Sequence, residues 1–427
     1  MRLRPHEATT AQLGAVYPAQ VGSDSPLDRV FIGRELSGEL FCHDPFELYR
    51  LGVLTNPNMV VLGQIGRGKS ALVKSFLFRQ AAFGRRIVVI DPKGEYAALA
   101  GALDCTPLRL APGGSVRLNP LAFDPSHGSL EAQRRVSLAA AVVIAEAVVD
   151  RTLAPVETIS IELAHDRIVG LGKPSLPALA RALLEPDRAA AAALGSTPEE
   201  VRRDGRSVAF ELRRFMTGEL SGMFDGAGAN GLDLDVVALI LDFSAIYGSP
   251  ALGPAVACLQ MALEARLRAR RGYQTILVVD EAWAILANTG TARFLQSSFK
   301  LARAFGVANL VVAHRVSDLR GAGPDGSLVS RLAHGLLADC ETTVCFAQSD
   351  AEVAECAAAL GLTSTESALV RSLRRGTALW RVGVGRHLVE HRLGAFERAF
   401  IDTDQAMRGD GTGVAERVQP TNRSIVR

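Results

Sequence analysis

A glycine-rich segment between Gly63 and Ser70 has the residue types and spacing of a loop that binds nucleotide phosphates. It fits the pattern G-x-x-x-x-G-K-(S/T) at every required position and directly follows the apolar run 59–62. The glycines let backbone N–H groups turn inward around a β-phosphate. Lys69 would reach the β- and γ-phosphate oxygens, and the Ser70 hydroxyl would ligate Mg²⁺. We therefore predict a site for ATP and Mg²⁺ formed by Gly63, Gln64, Ile65, Gly66, Arg67, Gly68, Lys69, Ser70 and Ala71.

Two consecutive acids far downstream have the types needed to hold the metal and to activate water. Asp280 and Glu281 follow the β-branched apolar run 275–279, which is typical of a buried strand. Asp280 would hold Mg²⁺ through water, and Glu281 would polarise the water that attacks the γ-phosphate. The second acid indicates an ATPase with a catalytic glutamate rather than a kinase or a Ras-like switch. A strand that ends in two acids by chance is the alternative, and the upstream phosphate loop argues against it.

His314 ends a third apolar run, 308–313, and is a candidate sensor of hydrolysis. In ATPases with a catalytic glutamate, this strand inserts between the strand of the phosphate loop and the strand of the acids. Its end then points at the γ-phosphate, where a neutral imidazole can donate one hydrogen bond. Single histidines are more often structural than catalytic, but the position at a strand end favours a sensing role.

These residues must be positioned by alternating strands and helices. Further apolar strands are predicted at 86–91 and 236–242, and the segment 71–83 has helical spacing after the loop. Residues 125–230 are rich in Ala and Arg at helical spacing, with a capping box that begins at Thr197. Two short apolar runs, 342–348 and 377–383, predict edge strands. We predict an α/β fold with a P-loop core at 56–124 and 231–405, an inserted α-helical subdomain at 125–230, a short N-terminal segment at 1–55 and a disordered tail at 406–427.

The composition limits the classes of partner. The formal net charge is only +2, so nucleic-acid binding would need a local basic patch or an assembly of subunits. The six cysteines are scattered without a CxxC pair and are interpreted as reduced thiols. The first ten residues lack an apolar signal core, and the apolar run 136–150 is too short to span a bilayer. We therefore predict a cytoplasmic protein without a transmembrane segment, whose membrane association is peripheral.

The motifs occur in one order that resembles a known family. In sequence they read LGQIGRGKSALVKSF, VVIDPKGEY, RLNPL, GELSGMFDG, LILDFS, VVDEAW and AHRVSDL. This set resembles the conjugation and type IV secretion ATPases of the VirB-four or TraC-like class in the HerA–FtsK superfamily, and the resemblance covers roughly residues 31–405. The resemblance implies a RecA-like motor core with a helical insertion that forms a hexamer or dimer. It also implies ATP hydrolysis that powers assembly or substrate passage through channel proteins at the inner face of the cell membrane.

The resemblance also assigns residues. It carries the loop glycines, Lys69 and Ser70 over as the nucleotide loop, and Asp280 and Glu281 as the metal and water acids. Ring motors of this superfamily complete the site with an arginine from the neighbouring subunit, for which Arg375 is our choice over two further candidates, Arg303 and Arg374.

Some positions depart from the family or keep more than one reading. His314 stands where the family usually has glutamine, and only about 55 residues precede the loop, where relatives usually carry a long docking domain. Lys93 and Glu95 in DPKGEY would serve either near the γ-phosphate or subunit interface, or in a local salt bridge. We interpret Trp283, which follows the two acids, as a core residue rather than a base-stacking one.

Two other functions stay open. A DNA-pumping translocase or coupling protein of the FtsK or HerA type would show turnover stimulated by DNA, although coupling proteins usually carry N-terminal membrane helices. A nucleotide-gated scaffold would bind without hydrolysis, but a scaffold does not need Glu281. The predicted partners are thus ATP, further copies of the chain, channel proteins and, for the translocase, DNA.

Overall fold

The apolar runs of the sequence assemble into one large sheet. The structure, a computed structural model, describes residues 29–123, 129–226, 236–269, 272–320 and 328–401. Eleven strands in these ranges share the sheet: β1 Phe31–Glu35, β2 Leu40–Cys42, β3 Met59–Leu62, β4 Arg86–Asp91, β5 Leu108–Arg109, β6 Ala238–Asp242, β7 Thr275–Val279, β8 Val307–Ala313, β9 Thr342–Cys345, β10 Thr377–Val382 and β11 Gly385–His391. The tail predicted at 406–427 lies outside the described residues.

The strand order brings the predicted site elements together. The order is β2-β1-β11-β10-β9-β3-β8-β7-β4-β6-β5, and the strands from β9 to β5 run parallel. β8 lies between β3 and β7, as predicted for the strand that ends before His314. The carboxyl ends of parallel strands meet at one edge, so the phosphate loop, the acids and His314 converge there.

The prediction of two edge strands is wrong. β9 lies between β3 and β10, and β10 lies between β9 and β11. The edges of the sheet are β2 and β5, because β11 and the hairpin of β1 and β2 add antiparallel strands beyond β10. Residues 31–42, assigned from sequence to the short N-terminal segment, therefore form part of the sheet.

Helices cover both faces of the sheet, and the described helices are α1 Pro45–Arg50, α2 Lys69–Ala82, α3 Ala97–Ala102, α4 Leu130–Val149, α5 Pro155–Gly170, α6 Leu176–Leu184, α7 Arg188–Ala193, α8 Pro198–Thr217, α9 Leu252–Ala269, α10 Ala282–Leu286, α11 Thr289–Phe305, α12 Val316–Arg320, α13 Leu328–Ala338, α14 Asp350–Leu360, α15 Ser364–Ser372 and α16 Arg398–Ile401, with a 3₁₀ turn at Ser244–Ile246. Side chains alternate along a strand, so β3 contributes to two cores. Met59 and Val61 pack with α2, whereas Val60 and Leu62 face the core shared with the helices α4 to α8.

The helices α4 to α8 form the inserted stretch between β5 and β6. α8 begins with the predicted capping box, in which Thr197 accepts from the Glu200 backbone and Glu200 accepts from the Thr197 backbone. The domain boundaries proposed from sequence remain a prediction. No helix of the described ranges has the length and apolarity that crossing a bilayer requires. All six cysteines are described and are free thiols, as predicted.

One arginine ties two distant segments to the helix that follows the phosphate loop. The Arg79 guanidinium on α2 donates to the Phe31 carbonyl at 2.6 Å and to the Arg392 carbonyl at 2.7 Å. It also forms two bonds with the Glu397 carboxylate, at 2.6 and 2.5 Å. Because such paired bonds fix both partners, the first strand and the last described segment are held on α2.

Candidate active site

The phosphate loop joins β3 to α2, and two of its glycines are required by geometry. Gly68 has φ of +114°, a conformation that residues with a side chain rarely adopt. A Cβ atom at Gly63 would lie 2.5 Å from the Cβ of Phe346, so the close packing of the loop on this buried ring excludes a side chain. The loop is therefore held in a cradle that a larger residue would distort.

Lys69 is the first residue of α2 and is buried, with 5 % of its surface exposed. Its ammonium group donates to the carbonyls of Gly63 and, at 3.1 Å, Gln64, and lies 2.9 Å from Nδ1 of His314. These three contacts use all three of its donors. Burial lowers the pKa of Lys69 to about 8, although the acids Asp280 and Glu281 act in the opposite direction. A phosphate can therefore reach this ammonium only by displacing one of its present partners.

His314 connects Lys69 to the predicted catalytic acid. Its Nε2 lies 3.1 Å from the Oε1 atom of Glu281, while its Nδ1 faces Lys69. An ammonium can only donate and a carboxylate can only accept, so Nδ1 accepts and Nε2 carries the proton. A neutral imidazole thus links Lys69 to Glu281 through two hydrogen bonds.

Glu281 is held by three donors at once. Besides His314, the Lys93 ammonium lies 2.5 Å from Oε1 and the Trp283 indole N–H donates to Oε2 at 2.5 Å. Burial on its own would raise the pKa of Glu281, but hydrogen bonds from His314, Lys93 and Trp283 outweigh burial and lower it to about 2. The backbone of Glu281 is left-handed, with φ of +48° and ψ of +44°. In this arrangement the Glu281 carboxylate is ionised, and both of its oxygens accept hydrogen bonds.

Asp280 is bonded at both of its oxygens. Its Oδ1 accepts from the Glu281 backbone N–H at 2.8 Å, and its Oδ2 accepts from the Tyr96 hydroxyl at 2.9 Å. Burial raises the pKa of Asp280, and the two hydrogen bonds act in the opposite direction. Tyr96 is fully buried, so its hydroxyl fixes the direction of this carboxylate from behind.

The DPKGEY motif folds into the turn that places Tyr96 and Lys93. The Asp91 carboxylate accepts from the backbone N–H groups of Gly94, Glu95 and Tyr96, at 2.9, 3.1 and 3.0 Å. Burial raises the pKa of Asp91 to about 6, and these three bonds oppose that rise.

The turn settles part of what the sequence left open. Lys93 forms an ion pair with Glu281, which is 188 residues away in the chain, so the pair is not local. Tyr96 is not among the residues predicted from sequence; its only signal was its place in a motif that follows a buried strand.

A cleft of about 610 Å³ runs over these groups. Its lining includes six of the nine predicted nucleotide-binding residues, together with both acids and His314: Ile65, Gly66, Gly68, Lys69, Ser70, Ala71, Asp280, Glu281 and His314. Gly63 instead packs on Phe346, and the side chains of Gln64 and Arg67 bond to each other at 3.3 Å. The structure thus brings together residues that are about 210 positions apart.

The arginines and Trp283 take positions that the sequence did not indicate. Arg375 lines the cleft of its own chain, beside Gly376, whose N–H donates to the Arg67 carbonyl at 2.9 Å. Arg303 is exposed and donates to the Thr55 carbonyl at 3.4 Å. Trp283 is 37 % exposed and bonded to Glu281, so its interpretation as a core residue is wrong.

Two segments of the chain match models of known protein families, one segment containing the phosphate loop and the other containing Asp280 and Glu281. Residues 51–163 match the model of the central domain of the helicase HerA, and residues 207–380 match the TraG P-loop domain. The structure of VirB4 from Thermoanaerobacter pseudethanolicus superposes with a TM-score of 0.70 at 21 % identity, covering 87 % of this chain and 98 % of that chain. This chain has the fold of VirB4. No curated protein sequence matches it significantly.

A second group of solved structures shares the fold of this VirB4-like chain. The unbound conjugative coupling protein TrwB superposes with a TM-score of 0.52 at 16 % identity, covering 79 % of this chain and 87 % of that chain. TrwB in complex with ADP and Mg²⁺ gives a TM-score of 0.54 at 16 % identity, with 79 % and 86 % covered. The predicted P-loop NTPase fold and the resemblance to the HerA–FtsK superfamily are confirmed.

Proposed function

We propose that this chain hydrolyses ATP with Mg²⁺ and uses the energy for conjugative DNA transfer or type IV-like secretion at a membrane channel. The observation that carries the proposal is the hydrogen-bonded chain from Lys69 through His314 to Glu281, in the cleft of a VirB4-like fold. These hydrogen bonds connect Lys69, whose ammonium group is suited to bind phosphate, with Glu281, whose carboxylate is suited to activate water. A nucleotide-binding scaffold would not need the second group.

The residues present fit a magnesium nucleotide. The cradle has glycines where a Cβ would clash or strain, and the buried ammonium of Lys69 faces into it. Ser70 and Asp280 supply the oxygen ligands that Mg²⁺ prefers, alone or through water. When bound, Mg²⁺ would neutralise charge on the phosphate oxygens. The complex of TrwB with ADP and Mg²⁺ supports the proposal that this chain binds a nucleotide together with Mg²⁺.

The contacts of Glu281 explain why its carboxylate is a poor base before the nucleotide binds. A carboxylate with a pKa of about 2 accepts a proton from water poorly. Glu281 must therefore lose the bond from Lys93 or His314 before it can act as a base. When Lys69 turns from His314 to a phosphate, the imidazole becomes free to move as well, which connects binding to the release of Glu281.

Replacement of Tyr96 by phenylalanine should weaken the metal site without disturbing the loop. The change removes the hydroxyl that orients Asp280, and loss of such a supporting bond typically lowers metal affinity or activity by about 10- to 100-fold. The Mg²⁺ concentration at half-maximal ATP turnover should rise. Tyr49→Phe is the matched control, because Tyr49 is exposed on α1, and it should leave the Mg²⁺ requirement unchanged. An unchanged Mg²⁺ requirement in Tyr96→Phe would show that the hydroxyl does not support the metal.

The partners follow from the same resemblance. We infer a homo-oligomer, either a hexameric ring or a dimer, that acts with channel proteins at the inner face of the cell membrane as a peripheral cytoplasmic subunit. The match to VirB4 over most of both chains supports this assignment. The likeness to TrwB, a conjugative coupling protein, favours a DNA translocase as the second candidate.

The test is ATP turnover of the purified full chain, measured over a range of protein concentrations, without DNA and with single- or double-stranded DNA. The secretion motor predicts turnover that rises with protein concentration and is independent of DNA. Strong stimulation by DNA, lost as salt is raised, would favour the translocase. No turnover at any concentration would leave the non-hydrolysing scaffold and overturn the proposal.

A further inference from the structure

Four residues of the last described segment of the chain, residues 391–401, line the same cleft, and two of them, Leu393 and Ile401, offer apolar surface that phosphates do not need. We propose that Leu393, Arg398 and Ile401 form the wall that binds the nucleobase. These three residues contribute to the cleft lining together with the phosphate loop. The inference rests on the proposed function, since it takes a nucleoside triphosphate as the ligand.

The strand order determines on which side of the loop the base must lie. β3, which leads into the phosphate loop, has β8 and β7 on one side and β9, β10 and β11 on the other. Asp280, Glu281 and His314 follow β7 and β8, so the terminal phosphate faces that side. The base is at the opposite end of the nucleotide and extends toward β10 and β11. His391 ends β11, and Leu393 follows it at the cleft.

The segment is fixed in place before any ligand arrives. Glu397 bonds the Arg79 guanidinium on α2 and also accepts from the Gly394 N–H at 2.6 Å. The Phe400 ring packs on Phe78 of the same helix, with centroids 5.0 Å apart. Because α2 also carries Lys69 and Ser70, the segment keeps a constant distance from the phosphate loop. A prearranged wall loses little conformational entropy when it binds.

The side chains suit the face of a flat aromatic ring. Leu393 and Ile401 are partly buried and offer apolar surface at the cleft. Arg398 is exposed, and its planar guanidinium can stack on a heterocyclic ring. His391 Nε2 lies 2.8 Å from the Ser75 hydroxyl, so that nitrogen is already engaged within the protein. The wall therefore offers contact with the faces of the base.

The test compares ATP with tripolyphosphate, which has the phosphates but no base, by calorimetry on the full chain with Mg²⁺. Wild-type protein should bind ATP more tightly than tripolyphosphate. Leu393→Ala and Arg398→Ala should each weaken ATP binding on the order of tenfold, from lost apolar and stacking contact, and leave tripolyphosphate binding unchanged. Arg392→Ala is the matched control, because Arg392 lies in the same segment, is exposed and bonds Glu390 at 2.9 Å. It should bind both probes as the wild type does.

The outcomes separate this inference from the function on which it rests. Retained binding of tripolyphosphate shows that a variant is folded at the loop. If both variants bind ATP like the wild type, or lose both probes equally, the nucleobase wall is overturned while the phosphate site stands. If the wild type binds neither probe, the proposed function itself fails.

Discussion

Glu281→Gln is expected to lower the rate of ATP hydrolysis by roughly a hundred- to ten-thousandfold, the range that a positioned general base contributes. The amide has the same shape as the carboxylate but cannot take a proton from water. The nucleotide is held by the loop and Lys69, so ATP affinity should stay close to that of the wild type. Measurements on the same preparation should therefore show a much slower release of phosphate and an unchanged affinity for ATP.

A second glutamine variant serves as the control for this result. Glu390 lies on β11, is half-exposed and bonds Arg392 rather than a residue of the cleft. Glu390→Gln should keep the wild-type rate. Wild-type turnover by Glu281→Gln would mean that another group activates the water, and that the three bonds to Glu281 serve only the structure.

Lys69→Ala is expected to have its main effect on binding. Hydrogen bonds to charged groups contribute about 1.5–3 kcal/mol, so ATP affinity should fall between about tenfold and a hundredfold. Turnover should be lost with it at low ATP concentration. Equilibrium binding of ATP, with Mg²⁺ present, measures the first effect directly.

The chain contains a natural control for the lysine as well. Only five lysines occur, and Lys173 is exposed in the loop between α5 and α6 and is not part of the cleft lining. Lys173→Ala should bind ATP like the wild type. Equal affinity of Lys69→Ala and wild type would remove the loop from the nucleotide site and, with it, the proposed function.

The sequence predicted the parts of the site whose spacing is imposed by chemistry. The loop from Gly63 to Ser70 must hold fixed residue types at fixed distances to bind phosphate, and the acids must end a buried strand. The position of β8 was predicted from the strand arrangement that ATPases with a catalytic glutamate share. These features were therefore visible without coordinates.

The contacts of Glu281 were not predictable in the same way. Lys93 follows β4 and His314 follows β8, and only the order of the sheet brings their side chains onto one carboxylate. Trp283 reads as an apolar residue in sequence, yet the left-handed turn at Glu281 starts a short helix and leaves the indole partly in solvent.

The strand 342–345 shows the same limit. A short apolar run has the same composition in the middle of a sheet as at its edge. It is an interior strand because β10 pairs with its other side, and β10 is covered in turn by β11 and the N-terminal hairpin.

The left-handed backbone at Glu281 has a consequence for protein design. A residue with a side chain adopts this conformation at a cost of about 1–2 kcal/mol, which glycine does not bear. A redesign that weighs backbone strain alone would accordingly place glycine at this position. Such a protein would relieve the strain but lose the carboxylate that Lys93, Trp283 and His314 hold, and with it the group that activates water.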